Sequence, residues 1–128
     1  MSIPSLARPP AASVPAVSAP DPDTAGRLQG LLAHYEQAFG AMLRAAPGQA
    51  IDELDACYAA LRLRQRACWP AGAPLVDALG CAAHDVLAVR EGRAVGGRSL
   101  QQELEAHRAA FAALREALAA GHALEVAA

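Results

Sequence analysis

Leu100, Leu104, His107, Phe111, Leu114 and Leu118 follow one another at alternating steps of four and three. That spacing lays all six side chains along one side of an α-helix, whereas the period of two in a strand would scatter them over both faces. Three further stripes share the rhythm. Leu28, Leu32, Tyr35, Phe39, Met42 and Ala46 form the first. Ile51, Leu54, Tyr58, Leu61, Gln65 and Cys68 form the second, and Val76, Leu79, Ala83, Val86 and Leu87 the third. Four one-sided helices joined by short connections predict an all-α fold, a four-helix antiparallel up-down bundle.

Local signals set the expected boundaries. Asp21 is placed to cap the first helix, with Pro22 at its first position, and Pro47-Gly48 ends it after about Ala46. Asp52 and Glu53 start the second helix and Arg62, Arg64 and Arg66 close it, each sign complementing the helix dipole. The run Trp69-Pro70-Ala71-Gly72-Ala73-Pro74 stops the chain and restarts it, and the third helix frays near Gly92. Ser99 to Gln102 reads as a capping box for the fourth helix, which is expected to reach about Ala120 and end at Gly121. Pro4, Pro9, Pro10, Pro15 and Pro20 prevent helix and sheet at the start. The predicted organisation is a disordered Pro/Ala-rich tail over 1–20, the bundle over 21–121 and a short C-terminal tail over 122–128. Up-down topology would place Asp21 and Asp23 beside the arginines ending helix two. Asp52, Glu53, Glu103 and Glu105 would meet Arg44, Arg90, Arg93 and Arg98 at the opposite end.

The 128 residues suit one domain. A formal net charge of −2 and a pI near 6.0 provide no concentrated basic surface, so neither nucleic acid nor an acidic membrane is an expected partner. All 11 basic residues counted as Lys+Arg are arginine. Schiff-base chemistry and a P-loop, which both need lysine, are therefore excluded. Beyond Pro22 the aliphatic hydroxyls are Thr24 and Ser99, both at helix starts, which disfavours a serine hydrolase. Three cysteines, Cys57, Cys68 and Cys81, cannot complete a disulfide framework and fit a reducing cytoplasm. No run approaches the ~20 apolar residues of a membrane span, and the first residues lack the apolar centre of a secretory signal. A cytoplasmic location is expected.

His107 is the polar exception in its stripe, with Glu103 one turn earlier. A buried imidazole needs a hydrogen-bond partner, and Glu103, Tyr35 and Tyr58 are the candidates. Glu-x-x-x-His can hold metal on a helix, but the Glu-x-x-His motifs and additional inward carboxylates of a di-iron bundle are missing. Cys81-x-x-His84 is half of a zinc site without a matching half, so three small buried cysteines and a boundary histidine are expected instead. Neither a metal nor a cofactor is assigned. Arg62, Arg64 and Arg66 alternate around their helix and form no phosphate cradle. Arg115 and His122, seven apart with Glu116 after the arginine, resemble the arginine–histidine pair of small helical ribonucleases only at the limit of its spacing. Trp69 either caps the core or anchors a partner, and Tyr35, Phe39 and Met42 suit a core or a groove for a partner helix.

With the usual catalytic combinations absent and apolar helical surface abundant, the expected function is non-enzymatic. The chain reads as a protein-binding module, a small chaperone, adaptor or regulator that takes a partner's amphipathic helix through Tyr35, Phe39, Met42, Tyr58, Trp69 and His107. In size and helix layout it is similar to small bacterial flagellar and type III secretion chaperones, which implies a bacterial, secretion-related role, although no motif carries a residue over. Two alternatives stand beside it. One is a structural subunit of a homo-oligomer, a homodimer included, or of a secretion apparatus; the other is a small-ligand or metal-binding bundle using His107 and Glu103.

Overall fold

The computed structural model describes residues 17–93 and 96–127. They form four helices, α1 (Pro22–Arg44), α2 (Ile51–Cys68), α3 (Ala73–Arg90) and α4 (Leu100–Ala127), with a 3-10 turn at Pro70–Gly72 before α3. No strand occurs among the described residues. The expected four-helix bundle is thus the observed architecture.

The helix starts follow their local chemistry. The Asp21 carboxylate accepts from the Thr24 backbone N–H at 2.9 Å and from the Thr24 hydroxyl at 3.2 Å. These bonds, the hydroxyl's first, hold the Asp21 carboxyl below its usual range. At α4 the capping box is complete: Gln102 N donates to Ser99 Oγ at 3.1 Å, and Ser99 N donates to Gln102 Oε1 at 2.8 Å. Arg90 finishes α1 from α3, donating to the carbonyls of Met42 and Ala45 at 2.8 Å each.

These contacts also define direction. Arg90 brings the C-terminal ends of α1 and α3 together. Trp69, just past α2, donates its indole N–H to the Ser18 carbonyl before α1. Gly121, late in α4, lies against Pro20 and Ala25 at the start of α1. Hence α1 and α3 run one way and α2 and α4 the other. The inward stripes are the core: Leu28, Tyr35, Met42, Leu61, Leu79, Val86, Leu114 and Leu118 are almost wholly buried. α1 packs along α2 and α4, and α3 along α4, but α2 and α3 approach each other only slightly. One side of the bundle is therefore an open seam.

Several expectations change. Helix four does not stop at Gly121 but continues to Ala127. Gly121 is instead a point of close approach, since a methyl there would sit 2.6 Å from the Pro20 carbonyl oxygen. The tail expected over 1–20 is packed at its end: Pro20 is buried, Val17 lies against the core and Ser18 holds Trp69. Residues 1–16 of that tail, and Ala128, lie outside the described residues. Over the segment Pro70–Arg90 the mean hydropathy reaches 1.3. In the bundle its apolar side, Leu75, Val76, Leu79, Ala83 and Val86, is spent on the core.

The charge pattern is more local than expected. The described ion pairs are Arg27–Asp23, Arg62–Asp77, Arg93–Glu91 and Arg98–Glu103. Arg62 thus meets α3 rather than the acidic start of α1. Arg27–Asp23 and Arg62–Asp77 are exposed on both sides and contribute about 0–1 kcal/mol each. In Arg98–Glu103 the carboxylate is buried, yet most of the bundle is held together by apolar burial.

Candidate functional site

The open seam between α2 and α3 contains a cavity of about 560 Å³. On α2, Leu54, Asp55, Tyr58 and Arg62 face it, recurring at helical spacing on one strip. On α3, Asp77, Gly80, Cys81, Ala83, His84, Asp85 and Leu87 face it, and Tyr35 of α1 forms part of the floor. The floor is apolar and aromatic and the rim is polar, the composition of sites that hold ligands or peptide side chains.

Tyr58 bridges the seam. Its hydroxyl donates to the Val76 carbonyl at 2.8 Å, and the ring lies over Gly80, where any Cβ would collide with the phenol. Burial pushes the Tyr58 phenol up, with Arg62 opposing it. Arg62 approaches Asp77 across the seam at 3.6 Å, with both side chains about half exposed.

His107 belongs to a second, tighter constellation between α1 and α4. Its Nε2 lies 2.7 Å from the Tyr35 hydroxyl, and its ring stacks on Phe39 with centroids 3.7 Å apart and planes within 4°. Burial pushes the imidazole down to about 4 and the Tyr35 phenol up. A neutral imidazole accepting from the phenol is the state this setting favours. Glu103 is buried too, but turns to Arg98 Nε at 2.9 Å. The imidazole is thus satisfied by Tyr35, one of its three candidate partners. A shallow groove of about 240 Å³ runs past this cluster, lined by Glu36, Phe39, Leu43, Leu104, His107, Arg108 and Phe111.

The six candidate partner-binding residues therefore occupy different places. Tyr58 stands in the α2–α3 seam and Tyr35 lies beneath it. Phe39 and His107 are mostly buried but edge the shallow α1–α4 groove. Met42 is fully enclosed, and Trp69 is buried under Ser18, its Nε1 donating at 2.7 Å. The cysteines also differ from expectation: Cys57 is half-buried, while Cys68 and Cys81 are exposed. Cys57 packs against the edge of the core, whereas Cys68, the last member of its stripe, lies at the end of α2 and Cys81 faces the seam. Among the described residues no group of three His, Cys, Asp or Glu side chains could hold a metal ion.

Asp55, Gly80 and Asp85 line the seam without belonging to any stripe or motif in the sequence. One signal was available: a glycine at 80, inside an otherwise regular helix, costs about 1 kcal/mol relative to alanine and so invites a packing reason. Here the reason is Tyr58.

An α-helical bundle with one open, polar-rimmed seam is the class that fold and site define. No protein-family model, curated protein or solved structure matches the chain.

Proposed function

We propose that the chain is a non-enzymatic protein-binding module of adaptor or chaperone type, which holds a segment of a partner protein in the α2–α3 seam. The observation that carries this reading is the seam itself. Three helix–helix interfaces are closed, while α2 and α3 stand apart around a cavity of about 560 Å³ bridged by Tyr58. A partner's side chains can enter there without dismantling the core, as in helix-in-groove recognition. The cytoplasm suits the unpaired thiols of Cys57, Cys68 and Cys81. The narrower assignment to a bacterial secretion chaperone rests on size and helix layout.

Cys81→Trp tests this reading, because residue 81 is exposed and lines the seam. An indole there fills the cavity without entering the core. Affinity capture from the native cell, run in parallel with both forms, should yield a partner that the unaltered chain retains and the folded variant loses. Identical partners for both forms would contradict it.

A second reading has a specific observation behind it. Leu63 is 72% exposed on the outer face of α2, with exposed Ala56, Ala59, Ala60 and Ala67 around it. A homo-oligomer built through that face would show a concentration-dependent mass in light scattering, and Leu63→Glu would abolish it.

A further inference from the structure

We infer that the α2–α3 seam is selective for a helical segment carrying an arginine or lysine at one end of its apolar stripe, and that Asp55 and Asp85 are the residues that select it. The inference rests on the seam being the docking site and names the chemistry of what docks there.

The charges along the seam are unevenly matched. Toward the end of α2 and the start of α3, Arg62 and Asp77 approach each other and compensate. Toward the start of α2 and the end of α3, Asp55 and Asp85 line the same cavity from opposite helices. Neither makes an ion pair or a side-chain hydrogen bond among the described residues, and both are exposed to water. His84 is the neighbouring ionisable group on α3. An occupant covering that end removes water from two carboxylates, which is costly unless it supplies a cation. A guanidinium or ammonium group between Asp55 and Asp85 removes the penalty, whereas an acidic or apolar residue leaves it in place.

The shape of the occupant follows from its backbone. The seam offers helix walls and no strand edge, so an extended peptide would bury amides without partners, whereas a helix satisfies its own. From Asp55 to Arg62 the α2 wall rises about 10 Å, roughly two helical turns. The fitting ligand is thus two turns of amphipathic helix, apolar toward Tyr58 and cationic at the Asp55–Asp85 end.

A phage-displayed library of helical peptides, randomised over two turns, is selected against the full chain and counter-selected against Cys81→Trp. The expected enrichment is Lys or Arg at one end of an apolar stripe. A selected peptide should then bind Asp55→Asn/Asp85→Asn about tenfold more weakly, with unchanged helicity of the protein. Seam-dependent peptides that are neutral or acidic, or insensitive to the double substitution, would overturn the charge selection and leave the docking site standing. No enrichment, or enrichment of peptides that bind Cys81→Trp equally well, would overturn the docking site itself.

Discussion

Tyr58 and Gly80 fit as ring and hollow: the phenol crosses from α2, lies on the bare backbone of α3 at Gly80 and donates to the carbonyl of Val76 at 2.8 Å. This contact is the main side-chain bridge over a seam that the helices leave open, and the consequences of altering either residue depend on the other.

Gly80→Ala should act in opposite directions in two backgrounds. With Tyr58 present the new methyl expels the phenol and its hydrogen bond, for a net loss of about 1 kcal/mol or more. With Tyr58→Ala the collision is gone, and the helix gains about 1 kcal/mol from replacing glycine. Urea denaturation of the four proteins measures both effects. Destabilisation of equal size in both backgrounds would contradict the contact.

The Tyr35–His107 pair should show strong coupling. Tyr35→Phe leaves a buried imidazole nitrogen unpaired, and His107→Leu leaves a buried phenol unpaired, each costing about 1–3 kcal/mol. The double variant strands neither group, so its cost should fall well below the sum of the singles. A double-mutant cycle reads this directly, and additive losses would be evidence against the bond.

The same pair gives stability a pH dependence. His107 is held at about 4 in the folded chain, below the ordinary 6.5, so the unfolded chain binds more protons between those values. Stability from this group is complete above pH 6.5, declines as pH falls through the window and is lost below about 4. Allowing for solvent screening, the loss is about 1–2 kcal/mol. The check is the difference between the unaltered chain and His107→Leu across pH 7 to 4, which removes the carboxylates common to both. A constant difference would show that His107 does not titrate as described.

Gly121→Ala should loosen the segment before α1. Its methyl would press on the Pro20 carbonyl oxygen at 2.6 Å and on the Ala25 side chain at 3.1 Å. As Ser18 covers the indole of Trp69, the sole tryptophan, displacement should shift its fluorescence to the red and lower stability by about 1–3 kcal/mol. An unshifted spectrum with unchanged stability would indicate that the segment is not held there.

The helices were legible in the sequence because each is written twice, in an apolar stripe and in its end signals. Asp21 and the Ser99–Gln102 box act locally, so the residues that encode them are the residues that form them. Gly121 differs for the complementary reason: a terminating glycine and one required by a passing chain look alike in sequence until Pro20 is placed in space. The seam was hidden for the same cause. Tyr58 has the spacing of a core residue, and Arg62 reads as one of three arginines complementing the end of the helix dipole. That α2 and α3 would stand apart is a property of all four helices together.

The central claim, that the α2–α3 seam holds a partner segment, is tested most directly by backbone amide chemical shifts of the full chain titrated with the tightest seam-selected peptide. Shifts should concentrate at residues 54–62 and 77–87 and vanish in Cys81→Trp. Shifts concentrated instead along α1 and α4, at Glu36, Phe39, Leu104 and Phe111, would contradict it.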